Sequence, residues 1–371
     1  MRATVERSHL LKCLNHVHRV VERRNTIPIL SNVLINADGS SLTVKATDLD
    51  LEVTETVPAE VGQAGATTVP AHILYDIVRK LPDGAEVSLD TGDGSQLALR
   101  SGRSNFALQV LPDTDFPDLT TGEFSKRFML PAAALKKLID RTQFAISTEE
   151  TRYYLNGIYL HAVKIGDRPV LRAVATDGHR LAQAQLDAPA GAEQMDGVII
   201  PRKTVGELQK LVEEPEANVE IEVSETKIRI TIGAVVLTSK LIDGSFPDYV
   251  RVIPQGNDKV LKVDRAEFAS AVDRVSTISS ERGRAIKLAL SEGKMVLTVN
   301  NPDSGSATEE LGVDYSAEAL EIGFNSRYLL DVAGQLETGA AEFRFADSGS
   351  PTLVNDEGEV DALYVLMPMR V

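Results

Sequence analysis

One local pattern recurs six times along the chain: a short strand-like run leads directly into a stripe of apolar residues at helical spacing. In every copy an apolar residue ends the strand, and the first apolar residue of the helix follows five positions later. The six pairs are Val5 and Leu10, Val69 and Leu74, Leu130 and Leu135, Ile200 and Val205, Val263 and Phe268, and Phe324 and Leu329. Their starts lie 61 to 70 residues apart. Such even spacing is typical of internal repeats, so we predict that the chain is built from six similar units.

The segments between the predicted helices alternate apolar and polar residues, which is the pattern of half-buried strands. Each unit is then one helix with about four strands, and two units form a domain of roughly 120 residues. We therefore predict an α+β fold of three similar domains with largely antiparallel sheets. Linkers rich in proline and polar residues at 111–125 and 246–259 set the predicted domains at 1–124, 125–254 and 255–371. The predicted helices span 6–24, 71–80, 131–141, 201–212, 264–274 and 326–336.

Composition and motifs argue against a membrane protein, a secreted protein and an enzyme. No apolar run approaches eighteen residues, and Glu6 and Lys12 interrupt the N-terminal stretch where a signal peptide needs an apolar core. The single cysteine, Cys13, cannot form a disulfide or a thiolate metal cluster within one chain. Asp177 and His179 fit no nucleophile elbow, and phosphate-loop and zinc-protease motifs are absent from the sequence. We expect a cytoplasmic protein with no catalytic site, no metal and no cofactor.

The charges are distributed unevenly along the sequence. The whole chain has 39 lysines and arginines against 54 acidic residues, a net charge of −15. The six predicted helices reverse this balance, with 16 basic residues against 9 acidic ones. One interpretation is that lysines lie on ordinary solvated helix faces. The other is that the helices line a surface that holds a polyanion without reading its sequence, while acidic sheets repel stray DNA.

Four motifs occur in the order known from one family: Arg152–Gly157 (RYYLNG), Ala175–Ala182 (ATDGHRLA), Phe246–Tyr249 (FPDY) and Tyr364–Val371 (YVLMPMRV). From end to end the chain resembles the bacterial DNA polymerase III β subunits, the replicative sliding clamps. The resemblance implies a head-to-tail homodimer that closes into a ring of six domains around duplex DNA. It also implies partners: a separate ATP-driven clamp loader complex, the DNA polymerase III catalytic subunit, and other replication and repair proteins with a clamp-binding motif.

The resemblance implies a cleft that binds partner peptides, and its residues match sixteen positions of this chain. They are Leu155, Thr176, Gly178, His179, Arg180, Leu181, Pro247, Arg251, Val252, Asn325, Tyr328, Val365, Met367, Pro368, Met369 and Arg370. The apolar chain end agrees with this, because methionine adapts its shape to different partners. A terminal strand tucked into the core is the alternative. Gly349 and Pro351 depart from the family pattern, so we expect one wall of the cleft to differ in shape.

The resemblance also implies DNA contacts and a dimer seam. The DNA-contact positions are Arg24, His72, Tyr153, Tyr154, Arg202, Lys203 and Arg284, with an ordinary solvated side chain as the alternative at each. His72 replaces a family arginine and removes a cation near neutral pH.

At the seam, Phe106 and Leu108 form the apolar face of an apparent edge strand, which needs a partner strand to avoid aggregation. The resemblance pairs it with the third domain of the other subunit near Thr277 and Ile278. Asn105 stands where a family arginine would add an ion pair. The alternative is an edge covered within its own domain.

We predict the first of two functions that remain at this point. One is a non-enzymatic ring on duplex DNA that raises polymerase processivity. The other is an acidic scaffold of repeats that binds protein peptides alone. The sequence distinguishes them only through the family resemblance.

Overall fold

The computed structural model describes residues 1–92, 94–119, 122–212, 215–279 and 284–370. The chain divides into two compact units. The first comprises 1–136, 189–192 and 203–241, and the second comprises 137–188, 193–202 and 242–371. Both units combine α-helices with antiparallel sheets, which confirms the predicted α+β class.

All six predicted helices are present. The helices are α1 Arg7–Val17, α2 Ala71–Lys80, α3 Ala132–Thr142, α4 Arg202–Leu211, α5 Arg265–Ser276 and α6 Ser326–Ala333. The strands that precede and separate them are β1 Arg2–Glu6, β2 Asn32–Asp38, β3 Ser41–Thr47, β4 Leu51–Pro58, β5 Glu60–Gln63, β6 Gly65–Pro70, β7 Glu86–Asp90, β8 Gln96–Ser101, β9 Ser104–Gln109, β10 Lys126–Pro131, β11 Gly157–Ile165, β12 Arg168–Thr176, β13 Arg180–Asp187, β14 Val198–Pro201, β15 Asn218–Val223, β16 Lys227–Ile232, β17 Val235–Lys240, β18 Lys259–Asp264, β19 Ala285–Ser291, β20 Lys294–Asn301, β21 Gly305–Gly312, β22 Asp314–Tyr315, β23 Leu320–Asn325, β24 Ala340–Phe345, β25 Thr352–Asp356 and β26 Ala362–Leu366.

The repeated strand-to-helix junction is the common element of the core. All twelve residues of the six sequence pairs are buried, none with more than 5% of its surface exposed. The strand turns directly into the helix at each junction, so the two apolar side chains of a pair enter the same core. At two junctions a side chain caps the helix: Asp264 accepts a hydrogen bond from the amide of Glu267 (2.8 Å), and Asn325 accepts one from Arg327 (3.0 Å).

Two helices end three or more residues earlier than predicted. The first ends at Val17, where His18–Val20 form a single 3-10 turn and Val21 is extended, instead of continuing to residue 24. Valines at 17, 20 and 21 explain this, because β-branched side chains lose rotamer freedom in a helix. The last helix ends at Ala333, just before Gly334, the least helix-favouring residue after proline. Pro131 and Pro201 end their strands, one position before the first helical turn in which we expected them.

The first unit contains two sheets. One has five strands in the order β5-β1-β7-β8-β9, which leaves β9 at an edge. The other has eight strands in the order β10-β15-β16-β17-β4-β3-β2-β6. Its central pairing of β4 with β17 joins a strand of the first predicted domain to one of the second. The sheet therefore continues across the predicted boundary at residue 124, which stays a prediction.

The second unit repeats this plan. Its large sheet has nine strands in the order β14-β11-β12-β13-β26-β25-β24-β18-β22, and a second sheet has the order β21-β20-β19-β23. The pairing of β13 with β26 sets Leu181 opposite Val365 and Arg180 opposite Leu366. The C-terminal strand β26 is therefore an interior strand of this sheet. Because β13 and β26 come from either side of residue 254, the sheet also continues across this predicted boundary. Across the ranges that the structure describes, the helices are too short or too polar to cross a membrane.

Gly157 at the start of β11 tests how closely the sheet packs. A Cβ at this position would lie 2.2 Å from the carbonyl oxygen of Ile200 on the paired strand β14, so the backbone would have to move. We expect Gly157→Ala to lower the free energy of unfolding by about 1–3 kcal/mol, the usual cost of overpacking. Thermal denaturation followed by circular dichroism measures this as a fall in Tm.

Gly206→Ala is the matched control, because this glycine lies inside α4 and a Cβ there meets no atom within 4 Å. Replacing a glycine in a helix by alanine should raise stability by up to about 1 kcal/mol. An equal loss of Tm in both variants would contradict the assigned packing at Gly157.

Candidate functional site

The second unit contains a cavity of about 270 Å³ beside the C-terminal strand. Nine of the sixteen residues expected in a peptide cleft line it, and four further residues complete its wall. The lining residues are Arg152, Tyr154, Leu155, Thr176, Gly178, Arg180, Leu181, Pro247, Asp248, Tyr249, Val252, Val365 and Met367. Four separate parts of the chain therefore meet at this cavity: the segment before β11, the turn between β12 and β13, the segment around Tyr249, and the chain end.

The turn between β12 and β13 is fixed by its own side chains. The carboxylate Oδ1 of Asp177 accepts hydrogen bonds from the amides of His179 (2.9 Å) and Arg180 (3.0 Å), and the Thr176 hydroxyl donates to the Arg180 carbonyl (2.7 Å). Gly178 has a φ of +87°, in the left-handed region that favours glycine. A Cβ there would also lie 2.5 Å from Nη1 of Arg152, but this is the end of a flexible side chain that can move, so the positive φ is the main reason for glycine at this position.

Arg180 follows this turn and has its guanidinium surrounded by groups of its own chain. It pairs with Asp177 (3.2 Å) and Asp331 (2.5 Å) and donates a hydrogen bond to the carbonyl oxygen of Phe144 (2.6 Å). The guanidinium carbon lies 4.3 Å from the ring centroid of Tyr328, a cation–π contact. Only 10% of the side chain is exposed. The charge of Arg180 is therefore compensated locally, and its contribution to the site is to hold the turn against α6.

The chain end is held by its backbone and leaves one methionine open. The amide of Met367 donates to the carbonyl of His179 (2.9 Å), and the amide of Met369 donates to that of Gly323 (2.9 Å). Tyr364 to Leu366 are buried in β26, whereas Met367 is 40% exposed at the cavity. The core-strand reading is therefore confirmed for β26, whereas Met367, which follows it, lines the cavity, and its contact with partner peptides stays a prediction. Val371 lies outside the described residues.

The segment from Phe246 to Val252 forms the opposite wall. Val250 and Val252 are 53% and 50% exposed, a large fraction for valine, whereas Tyr249, just before them, is buried. Asp248 and Arg251 form an exposed ion pair (2.7 Å) at the rim. The wall therefore combines a fixed buried ring with apolar side chains that are free to contact a ligand.

Charged groups also flank the cavity near Arg152. Glu149 accepts hydrogen bonds from Nε (2.8 Å) and Nη2 (2.6 Å) of Arg152, and these bonds hold the pKa of the Glu149 carboxyl below its usual range. Across the described part of the chain, no group of three His, Cys, Asp or Glu side chains is arranged to hold a metal ion.

Seven of the expected cleft residues do not line the cavity: His179, Arg251, Asn325, Tyr328, Pro368, Met369 and Arg370. His179 belongs to the turn whose neighbouring residues line the cavity. The ring of Tyr328 contacts the guanidinium of Arg180, which is a lining residue. Gly349 and Pro351 also lie outside its lining. The sequence reasoning missed four lining residues, Arg152, Tyr154, Asp248 and Tyr249. All four belong to the RYYLNG and FPDY motifs, so the motifs themselves were the signal.

The basic residues expected to contact DNA differ in whether their charged groups are already paired within the chain. Arg24 is exposed, and within the described ranges its side chain has no hydrogen bond or ion pair. Lys203 pairs with Asp48 and with Glu22 (3.1 Å), and these bonds outweigh partial burial and raise the pKa of its ammonium group. Arg202 is exposed at the start of α4. Lys203 is thus a weaker candidate for a phosphate contact than its sequence context predicted.

Of the remaining expected DNA contacts, Tyr153 is exposed, whereas the other three are oriented by hydrogen bonds or lie in the cavity lining. The Nε2 atom of His72 is bonded to the carbonyl of Val21 (2.9 Å), so its ring is already oriented by the backbone. Tyr153 is 54% exposed, whereas Tyr154 lines the cavity. Arg284 has a φ of +45°, and its carbonyl accepts a hydrogen bond from Ser326 (2.8 Å).

The expected seam strand is at a sheet edge, as predicted. β9 pairs only with β8, and Phe106 on it is 36% exposed. Leu108 is 8% exposed and belongs to the core of its own chain, so the expectation that both side chains form a free apolar face is wrong for Leu108. Thr277 is exposed just after α5, and Ile278 is half-buried.

Comparison with known proteins gives a consistent result over the whole chain. Family models of the DNA polymerase III beta subunit match residues 1–120 (N-terminal domain), 129–248 (central domain) and 250–370 (C-terminal domain). The beta sliding clamps of Caulobacter vibrioides and Escherichia coli K12 are 55% and 40% identical, each over 100% of both chains. A crystal structure of the sliding clamp of Bartonella birtlesii bound to griselimycin superposes with a TM-score of 0.98 at 61% identity over 100% of both chains.

Val252 provides a direct test of the cavity as a binding site. The residue lines the cavity and is half exposed, so Val252→Glu should leave the fold intact while placing a charge where apolar ligand groups would be desolvated. We expect binding of the partner polymerase catalytic subunit to weaken at least about tenfold, measured by biolayer interferometry. Val360→Glu is the control, because Val360 is 76% exposed and is not part of the cavity lining. Equal binding by the two variants would contradict the assignment.

Proposed function

This chain belongs to the DNA polymerase III beta subunit family, and we propose that it acts as the sliding clamp of its cell. Two copies form a ring that encircles duplex DNA, slides along it and holds the replicative polymerase there. The observation that carries this function is the match of three consecutive family domains, in order, over the whole chain. The sixfold repeat supports it, because two copies supply twelve similar helices for one ring.

Contact with DNA is weak and independent of sequence. Arg24 and Arg202 are exposed cations that reach phosphates through water, and such contacts permit movement along the duplex. The net charge of −15 makes tight non-specific binding unfavourable. Attachment to DNA then depends on ring closure instead of on binding energy.

The cavity beside Met367 is the docking site for partner proteins. Its lining is apolar at Leu155, Leu181 and Val365, with charged groups at the rim, which suits a short peptide with apolar anchors. The seven cleft residues outside the cavity lining extend the same site along the turn and the chain end. Partners are the polymerase III catalytic subunit and other proteins that carry a clamp-binding motif.

The other partners and properties follow from this function. A separate ATP-driven clamp loader opens the ring, so the clamp itself needs no nucleotide, metal or cofactor and catalyses no reaction. The protein acts in the cytoplasm, where bacterial DNA is replicated, and it needs no contact with a membrane.

Retention on circular DNA distinguishes a clamp from a peptide-binding scaffold. The protein is loaded onto closed circular duplex by a bacterial clamp loader with ATP, isolated by gel filtration, and the DNA is then cut once. We expect the protein to stay on the circle and to leave the linear product, because a ring can slide off an end. A scaffold would not stay on the circle, and a protein that remained on both forms would be bound by contacts instead of topology.

The dimer seam is formed by β9, the free edge of the five-stranded sheet. Its exposed Phe106 supplies an apolar contact, and the third domain offers a complementary edge strand, β21. Glu309 and Glu310 on β21 are already paired with Arg274 and Lys294 of their own chain, so the seam depends on the apolar contact and on backbone pairing of the two strand edges. Pairing β9 of one copy with β21 of another near Thr277 and Ile278 closes both edges.

Phe106→Asp should therefore give folded single chains of 40.2 kDa, because the charge opposes burial of the strand edge while the core, including Leu108, is unchanged. Multi-angle light scattering measures the mass, and circular dichroism checks the fold. Ile165→Asp, which alters an exposed residue of β11 away from the edge, should remain dimeric. A dimeric Phe106→Asp variant would move the seam elsewhere.

Arg24 and Lys203 form a matched pair for testing the DNA contact. Removing the unpaired guanidinium in Arg24→Ala should lower the salt dependence of duplex binding by about one unit of slope, equally for all sequences. Lys203→Ala should change the slope less, because Asp48 and Glu22 already neutralise that cation. Fluorescence anisotropy with a labelled duplex over a range of salt concentrations gives both slopes. An unchanged slope in Arg24→Ala would remove Arg24 from the DNA-facing surface.

A further inference from the structure

Tyr249 connects the cavity to a polar cluster beneath it. Its ring is part of the cavity lining and is 5% exposed. Its hydroxyl lies 2.9 Å from Nε2 of His161 on β11 and 3.0 Å from Nη1 of Arg172 on β12. One end of this side chain therefore faces the cavity, and the other is bound to two strands of the sheet. All three residues belong to the second compact unit.

The direction of these two hydrogen bonds follows from the chemistry of the groups. A guanidinium can only donate, so the Tyr249 oxygen accepts from Arg172. We assign the remaining hydroxyl hydrogen to Nε2 of His161, in the neutral tautomer that carries its proton on Nδ1, because Nε2 then accepts while Arg172 donates. Burial and the nearby Arg172 lower the pKa of His161 to about 4, so the ring is neutral near pH 7. Each atom of the cluster thus has one defined role.

The neighbours of this cluster fix both of its ends. Nε and Nη2 of Arg172 donate to the side-chain oxygen of Gln185 on β13 (3.0 and 2.8 Å), which holds the guanidinium in place. The ring of Tyr159 stacks on His161 on one side (centroids 4.6 Å apart) and on Phe246 on the other (4.8 Å). Phe246 and Tyr249 are therefore both anchored to the sheet, while Val250 and Val252, which follow Tyr249, remain half exposed.

We propose that Tyr249 is a positioning residue of the cleft: the bonds of its hydroxyl to His161 and Arg172 hold its ring, and with it the wall carrying Val252, in the geometry that receives a partner peptide. This inference rests on the proposed function of the cavity as the docking site. The hydroxyl itself does not face the ligand. Its loss acts through the wall, since a wall that has to become ordered on binding lowers affinity.

Tyr249→Phe removes the hydroxyl and keeps the ring. We expect affinity for the polymerase III catalytic subunit of the same bacterium to fall at least about fivefold, because the variant loses both bonds of the hydroxyl and one bond of average net strength corresponds to about that factor. Dimer mass and retention on circular DNA should not change. Tyr315→Phe is the matched control, because Tyr315 is a buried tyrosine of the same unit whose hydroxyl donates to the carbonyl of Glu318 (2.5 Å), and it is not part of the cavity lining. It should bind at full strength.

Substitutions of His161 separate positioning from general stability. His161→Leu removes one of the two partners of the hydroxyl and should lose part of the affinity that Tyr249→Phe loses, whereas the side-chain oxygen of His161→Gln can accept the same hydrogen and should restore binding. The double variant His161→Leu with Tyr249→Phe should lose no more affinity than Tyr249→Phe alone, because the bond to His161 is already absent in that single variant. In ¹⁵N NMR spectra of the unsubstituted protein, Nε2 of His161 should give the signal of an unprotonated acceptor nitrogen, and this signal should shift in Tyr249→Phe.

The outcomes are distinguishable. If the unsubstituted protein does not bind the catalytic subunit, or if Val252→Glu binds equally well, the proposed function of the cavity is wrong. If those two behave as expected and Tyr249→Phe binds at full strength, the assignment of Tyr249 alone is overturned. Equal losses of affinity in Tyr249→Phe and Tyr315→Phe, or additive losses in the double variant, would also overturn it.

Discussion

The antiparallel pairing of β13 with β26 is the contact on which the candidate docking site depends. It joins strands that are far apart in the sequence and sets Leu181 directly opposite Val365, so the two meet in one small core with Val174 and Tyr249. The same register brings the carbonyl of His179 to the amide of Met367. The turn, the chain end and the wall around Tyr249 meet at one cavity because the sheet continues through this pairing. The first unit repeats the arrangement with β4 and β17.

The elements of this fold could be predicted from the sequence because the information that specifies them is local. Each repeat carries an apolar residue at the end of a strand and another five positions later, and all twelve side chains are buried. The end of the first helix was predicted too late because the residues after Val17 still have helical spacing, although their β-branching opposes a helix. Sheet order was not predicted at all. It depends on which strands meet across the repeats, and strand alternation alone does not specify a partner.

Site residues were predicted well where a motif supplied them and poorly where their role depends on a distant neighbour. Leu155, Thr176 and Leu181 line the cavity as expected from their motifs. The burial of Leu108 was not visible in the alternation of its strand, because period two specifies a face but not what covers it. Counting charges in the sequence fails for the same reason, because the count does not show which charges are paired in the folded chain. Lys203 and Arg180 are both basic in sequence, yet each is compensated by two carboxylates that lie far away along the chain or across a turn.

The cavity has a fixed part, whose polar and charged groups have partners within the chain, and an adaptable part, whose apolar side chains are exposed. Arg180 and the hydroxyl of Tyr249 are held by several partners each, so the turn and the buried wall are ordered before a ligand arrives. Val250, Val252 and Met367 are half exposed and contact the solvent. A fixed base lowers the entropy that must be lost on binding, whereas flexible methionine and exposed valine side chains let different peptides fit. Under the proposed function, we expect such a site to bind each partner with modest affinity and to exchange partners. Because the ring remains on the DNA, modest affinity is sufficient, since the local concentration of the partner is set by the tether and not by the strength of a single site.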